Sequence, residues 1–438
     1  MATQIDPVSL PQLGERAHFE EATYRKVAWR LIPLLLLCYV VAYLDRVNVG
    51  FAKLQMSNDL HLSEAVYGLG AGIFFVGYFL FEVPSNLILH RVGARLWIAR
   101  IMVTWGIVSG LTMFVTTPGW FYVMRFLLGV AEAGFFPGVI LYLTYWFPAH
   151  RRARITARFI SAVALSGIVG GPLSGFILKT LDGVNGWHGW QWLFLLEAVP
   201  SILVGVLVLL WLDDGIRDAK WLTANEQTLL ARNLERDEIA KDVQAPRELF
   251  ANPLMWIICI MHFAFVMGLY GVGFWLPTLI KGIGVADPFK IGVLSMIPYV
   301  VAVIAMIGVA KSADLRRERR WHLAVPGLVG AAGLVASVLL AGNAPLAMVA
   351  LTIATAGLLT TFPLFWCLPT AMLTGAAAAA GIAFVNSIGN VAGFLGPYAV
   401  GWLKDATGST AAGVYMLAAF MTFGALLALS LPASRVNR

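Results

Sequence analysis

Between Trp120 and Trp146 the chain runs the thickness of a membrane with two charged residues, Arg125 and Glu132. A stretch that long and apolar is a helical span, because in hydrocarbon every backbone N–H and C=O must find its partner inside the segment. Arg125 and Glu132 stand seven residues apart, so they share one helix face about 10 Å apart along the axis. A charge at bilayer depth costs at least ~2.5 kcal/mol on insertion scales, so both must look into protein or water rather than lipid. That face reads as a functional site; the plainer reading is an ion pair that locks helices together.

The rest of the chain extends this constraint. Over 438 residues, 59% are hydrophobic and 13% charged, with a mean hydropathy of +0.78, which describes a polytopic membrane protein rather than a soluble domain. The net charge of +7 lies in short basic clusters between apolar runs, not on one face, which speaks against a nucleic-acid partner. Cys38, Cys259 and Cys367 fall in separate apolar runs without disulfide or metal-ligand spacing. The first run, Leu31 to Leu44, continues past Asp45 with no small-residue cleavage site and reads as an uncleaved span, not a removable signal peptide.

At about 20 residues per span, the sequence predicts an all-α membrane protein with twelve transmembrane helices in two six-helix bundles. The expected divisions are a tail (1–28), a first bundle (29–212), a polar linker (213–252), a second bundle (253–432) and a short C-terminus (433–438). Within the linker, Thr223-Ala-Asn-Glu226 has the capping-box pattern of a helix start. Basic residues fix the expected orientation. Arg16, Arg25, Lys26 and Arg30, Arg91 and Arg95, Arg151, Arg152 and Arg154, the linker, Lys311 with Arg316, Arg317, Arg319 and Arg320, and Arg435 with Arg438 share one side. The opposite loops carry Lys53, Lys179, Lys281, Lys290 and Lys404. By the positive-inside rule both termini and the linker are cytoplasmic in a plasma, or inner, membrane. The loop from Thr374 to Ala380 has no charge and does not enter this count.

Gly171-Pro172 in span five is matched by Gly396-Pro397 in span eleven, and the basic loops after spans two and eight occupy equivalent places. Repeated halves around a midplane site are a transporter layout. Together with Tyr43-Leu-Asp45-Arg46-Val-Asn48, Glu82-Val-Pro84-Ser-Asn86, Arg125 to Gly138 and Asn386-Ser-Ile-Gly-Asn390-Val-Ala-Gly393-Phe-Leu-Gly396-Pro397, this plan resembles the major facilitator superfamily. Within it the chain is similar to the anion:cation symporters, which include permeases for tartrate, phthalate, hydroxyphenylacetate and sugar acids. The resemblance implies two pseudo-symmetric bundles, no cofactor beyond the proton gradient, and a monomer that moves a small organic anion with protons. It implies proton carriers at the positions of Asp45 and Glu132, with the matching arginines at Arg46 and Arg125.

Asp45 and Arg46 are neighbours about 100° apart around span one, so they cannot both face one groove squarely. Depth counting puts Asp45 and Arg125 at a similar level, which makes their interaction possible, with Glu132 nearer the midplane. Burial disfavours an ionised carboxylate and a nearby arginine favours it, so an anion that occupies the arginine would drive the carboxylate to take a proton. In the second half, Asn386 and Asn390 lie one turn apart and suit a hydroxylated acid. The family places Asn390 and Trp366 in contact with substrate, and has tyrosines matching Tyr43 and Tyr78 in its site. For the asparagines the competing reading is interhelical hydrogen bonding, and for Trp366 packing.

His262 is left outside the site, Glu197 is read as structural, and Glu82 near Arg91 and Arg95 is compatible equally with a cytoplasmic ion-pair gate and with a plain surface position. The run Gly167-x-x-x-Gly171-Pro172-x-x-Gly175 is similar to an antiporter motif but is explained by small-residue packing. His90 replaces the family's usual aspartate, and Val163 stands where sugar-acid permeases have a glutamine, which counts against galactonate. The shortage of second-half cations argues against a polyanion, and Trp366, Phe365 and the asparagines accept either a hydroxy acid or an aromatic acid, of which a tartrate-like hydroxy acid is the expectation. Aromatic-acid symport and organic-anion efflux by exchange are the alternatives. With neither a nucleophile and its base nor a metal cluster in the sequence, an enzyme is not expected.

Overall fold

The computed structural model describes residues 10–239, 252–372 and 375–437. Positions 1–9 of the tail, 240–251 of the linker, 373–374 at the uncharged loop, and 438 lie outside the described residues. The first half contains α1 (Leu10–Val47), α2 (Val49–Asp59), α3 (Glu64–Val92), α4 (Ala94–Leu111), α5 (Pro118–Glu132), α6 (Phe135–Thr144), α7 (Ala149–Ile160), α8 (Ala162–Thr180) and α9 (Gly189–Trp211). The linker forms α10 (Ala224–Ile239). The second half contains α11 (Pro253–Gly282), α12 (Pro288–Arg316), α13 (Arg320–Leu339), α14 (Ala344–Met372), α15 (Gly375–Thr407) and α16 (Ala411–Ser430).

Eleven of these segments, among the described residues, are long and apolar enough to cross a membrane. Helix α15 takes the place of the remaining predicted span. The first span is α1 continued by α2, since the backbone at Asn48 stays helical (φ −57°, ψ −27°). The fourth span is broken. Ala133 turns extended (ψ 131°) and Gly134 adopts φ +84°, a left-handed conformation that glycine accepts without strain. A Cβ at Gly134 would also lie 2.3 Å from the Ser85 hydroxyl. The helix therefore ends at Glu132 and restarts at Phe135.

The Thr223 capping box is present: Glu226 accepts from the Thr223 N–H (2.8 Å) and the Thr223 hydroxyl accepts from the Glu226 N–H (3.3 Å). Lys26 of α1 also bonds Glu226 (2.8 Å). Against the rise that partial burial would cause, Lys26 and Thr223 hold the Glu226 carboxyl below its usual range. Helix α1 starts well before the first apolar run because the tail has something to pack on. Tyr24 stacks near Phe147 and takes a hydrogen bond from Asn233 (3.2 Å), and Arg151 pairs with Glu20 and Glu21. The linker thus docks on one end of the first bundle, here called the linker side.

The two Gly-Pro helices perform equivalent jobs. Helix α8 packs on α12 of the opposite bundle through Gly167 against Tyr299, Gly171 against Gly292 and Gly175 against Pro288. Helix α15 packs on α3 through Pro397 against Gly68 and Phe394 against Gly72. These close approaches lie on the far side from the linker. There the lysines of the far loops cross between bundles: Lys404 to Glu64 (2.5 Å), Lys179 to Asp287 (2.6 Å) and Lys53 to Thr278 (3.4 Å), while Lys53 also holds Glu64 (2.5 Å). Asp405 caps the first N–H groups of α3 at Glu64 (3.1 Å) and Ala65 (2.8 Å).

A side chain at Gly72 would meet the Phe394 carbonyl at 2.5 Å, so Gly72→Val is expected to hold the far side apart. Maleimide labelling of a Thr278→Cys reporter should rise in that variant; unchanged labelling would mean that the closure does not depend on this contact.

Candidate functional site

The break after Glu132 and the end of α1 bring the two strongest charges together. Arg46 donates through Nη2 to Glu132 Oε1, and through Nη1 to the hydroxyl of Tyr270 in α11 at 2.9 Å. The ion pair belongs to the first bundle and reaches the second through Tyr270. Arg46 is 5% exposed and Glu132 1%. Arg46 lies where span one continues from α1 into α2, so it gains nothing from a free helix end. Glu132, at the C-terminus of α5, faces an unfavourable dipole and depends more heavily on its partner.

Aromatic rings enclose this pair. The Arg46 guanidinium carbon lies 5.2 Å from the Phe74 ring, 5.6 Å from Tyr78 and 5.8 Å from Tyr43, within cation–π range. The structure therefore places Tyr43, Tyr78, Arg46 and Glu132 in one cluster. Arg125, also 1% exposed, sits beside it and donates to the carbonyls of Gly70 (3.4 Å), Ala71 (3.3 Å) and Arg46 (3.4 Å). Its Nη1 and the Arg46 Nε are buried N–H donors without an acceptor. A buried N–H is costly to leave unpaired, so each of these two can take an acceptor.

Asp45 turns away from this cluster, as the 100° between neighbouring residues requires. The interaction with Arg125 that its depth allows is replaced by a cage of neutral donors. Trp105 Nε1 (2.9 Å) and the Ser109 hydroxyl (3.0 Å) of α4 and the Ser201 hydroxyl of α9 all bond its carboxylate. The indole and hydroxyls are on the inner faces of their own bundle, so rotation of span one alone selects this partner set. Glu197 lies nearby on α9, one turn from Ser201, and takes the Ser174 hydroxyl at 2.7 Å.

The predicted second-half residues lie one layer toward the linker. Asn386 and Asn390 do not project into open space: both donate to Glu82, at 2.8 and 3.0 Å, one to each carboxylate oxygen. Trp366 packs against His262 (5.1 Å between rings) and Phe365 (5.4 Å). His262 also stacks on Phe365 at 4.4 Å and abuts Gly389. It is an aromatic-wall residue adjoining the helix that carries the asparagines. Sequence reasoning missed Tyr270 and the caging donors of Asp45. Their signal was a phenol and an indole in apolar helices, residues that more often pack.

Residues 35–397 match the model of the Major Facilitator Superfamily. The chain belongs to that superfamily. Its fold agrees with the crystal structure of a D-xylose-proton symporter at a TM-score of 0.75 and 15% identity, over 94% of this chain and 99% of the other. It is 48% identical to the provisionally named metabolite transport protein NicT of Pseudomonas putida, over 96% of this chain and 97% of that one. It is 47% identical to a provisionally named tartrate transporter of Agrobacterium vitis, over 95% and 92% of the two chains. These relatives accord with the anion:cation symporter resemblance. The chain is a multi-pass membrane transporter of this superfamily, not an enzyme.

Arg46→Ala would leave Glu132 buried without its cation and should destabilise the protein by about 3–5 kcal/mol. Arg46→Met combined with Glu132→Leu removes both charges and should recover most of that loss. Thermal unfolding of the purified variants checks the pair; equal losses in the single and double variants would show that the charges are not energetically coupled.

Proposed function

We propose that this transporter imports a small organic carboxylate, of the tartrate-like hydroxy-acid class, together with protons. The observation that carries the reading is the buried Arg46–Glu132 pair beside two N–H donors that lack acceptors, on Arg46 Nε and Arg125 Nη1. A substrate carboxylate matches those donors in charge and in hydrogen-bonding capacity. Once it draws on Arg46, Glu132 is left as a poorly compensated buried carboxylate, a state costing several kcal/mol. Taking up a proton removes that cost. The loaded site then holds a neutral carboxyl and a neutralised arginine, and the two bundles can rock around it.

In this reading Tyr43, Tyr78 and Tyr270 bind hydroxyls or carboxylate oxygens, and Asn386, Asn390 and Trp366 form the second-half wall. Arg125 supplies the second cation. Asp45 is the second proton carrier, released or held by the Trp105, Ser109 and Ser201 donors rather than by an arginine. The protein works as a monomer in a bacterial inner membrane with its linker side cytoplasmic, as the basic residues on that side direct. The relatives named for tartrate at 47% identity favour tartrate over aromatic acids.

Uptake of labelled L-tartrate into proteoliposomes under an inward proton gradient tests this. Wild type should accumulate tartrate. Glu132→Gln should retain tartrate exchange across the membrane and lose gradient-driven accumulation, because its side chain cannot release a proton. Arg125→Ala should lose binding even without a gradient. Loss of preloaded tartrate under the same gradient would instead indicate exchange, and accumulation of phthalate or hydroxyphenylacetate but not tartrate would move the substrate to the aromatic acids.

A further inference from the structure

Among the described residues, the Asn386–Asn390 pair binds a carboxylate of the protein itself. Asn386 and Asn390 are one turn apart on α15, so their amides point the same way. Each gives one N–H to a different oxygen of Glu82, at 2.8 and 3.0 Å. This is how a substrate carboxylate would be gripped, by two donors on two oxygens. Glu82 comes from α3 of the opposite bundle and is 5% exposed. It lies one helical turn from Tyr78, whose ring borders the Arg46 guanidinium. The bond therefore crosses between bundles at the linker-side edge of the site.

We propose that Glu82 is an intramolecular stand-in for the substrate's carboxylate, filling the Asn386–Asn390 amides in the empty carrier and giving them up when substrate binds. The inference rests on the carboxylate reading above. Two anions cannot share these amides: they would repel each other, and each would lose one of its donors. Arrival of substrate thus breaks the cross-bundle bond at the linker side, while the far-side contacts of α3 and α15 run through glycine packing and do not depend on it. When the site empties, Glu82 returns to both amides, of which that of Asn390 is buried and would otherwise lack an acceptor. A carrier built this way can close while empty. That property separates net transport, which needs an empty return step, from obligatory exchange.

The test uses the full-length purified protein with L-tartrate as probe, in wild type, Glu82→Ala and Glu82→Gln. Removing the competitor and its two hydrogen bonds should tighten equilibrium tartrate binding about tenfold or more in Glu82→Ala. Exchange in proteoliposomes should continue while net efflux into tartrate-free buffer slows. Glu82→Gln keeps one acceptor oxygen and should fall between. A second measurement needs no substrate: spin labels at Arg91→Cys and Lys311→Cys, with the native cysteines replaced by serine, report the linker-side separation of the bundles. In ligand-free Glu82→Ala that distance should lengthen relative to wild type. Unchanged or weaker tartrate binding in Glu82→Ala would overturn the proposal: with a lengthened distance Glu82 is a structural clamp and no competitor, and with an unchanged distance it is neither. If wild type binds no tartrate, the carboxylate reading fails by itself, and an unchanged distance would be needed to reject the clasp as well.

Discussion

A guanidinium and a carboxylate buried together between helical bundles can be solvated only by each other and by the protein around them. Arg46 and Glu132 are in that position, and much of the surrounding architecture serves it. The fourth span breaks immediately after Glu132 at Ala133 and Gly134, and Ser85 packs where a Cβ on Gly134 would stand. Rings of Tyr43, Phe74 and Tyr78 surround the guanidinium with low-dielectric but polarisable surface. Tyr270 brings the second bundle to the same cation. In such surroundings a change of partner at Arg46 is worth several kcal/mol, enough to shift a two-state equilibrium between bundle arrangements by orders of magnitude.

The bundles meet through two kinds of contact with different consequences. On the far side, glycines of α3 and α8 let the backbones of α15 and α12 approach directly, and lysines on the loops add cross-bundle ion pairs. Partly exposed pairs of this kind contribute modestly one by one, so the tight backbone packing is the stronger closure. On the linker side the Glu82 contact is purely polar and is made by three side chains. Packing of this first kind is released only when helices separate, whereas a hydrogen-bonded carboxylate can be exchanged for another. The asymmetry gives the two ends of the molecule different triggers.

Much of the fold was legible because its signals are long and repeated. Apolar runs of span length, the Gly171-Pro172 and Gly396-Pro397 pair, and the Thr223–Glu226 capping box each correspond to an observed feature. The site was legible in part. Spacing singled out Arg125 and Glu132, the family resemblance added Arg46, Tyr43 and Tyr78, and the structure brings the five together. Spacing could not say which carboxylate meets which arginine, because depth along a helix is readable from residue count but rotation is set by packing. That rotation sends Asp45 to Trp105, Ser109 and Ser201 and leaves Glu132 for Arg46. Glu82 was visible as a membrane carboxylate, but its partners lie 304 and 308 residues away, a pairing that only the folded interface supplies.

In the proposed mechanism substrate and proton meet through one ion pair, with the anion taking Arg46 and Glu132 taking the proton. Proton uptake on substrate binding measures this without reference to membranes or gradients. Adding L-tartrate to weakly buffered purified protein should raise the pH of the solution as the released carboxylate binds a proton. The signal should saturate with tartrate binding and should be lost or cut sharply in Glu132→Gln that still binds tartrate. Equal proton uptake by wild type and Glu132→Gln at matched tartrate occupancy would contradict the account and place the proton elsewhere.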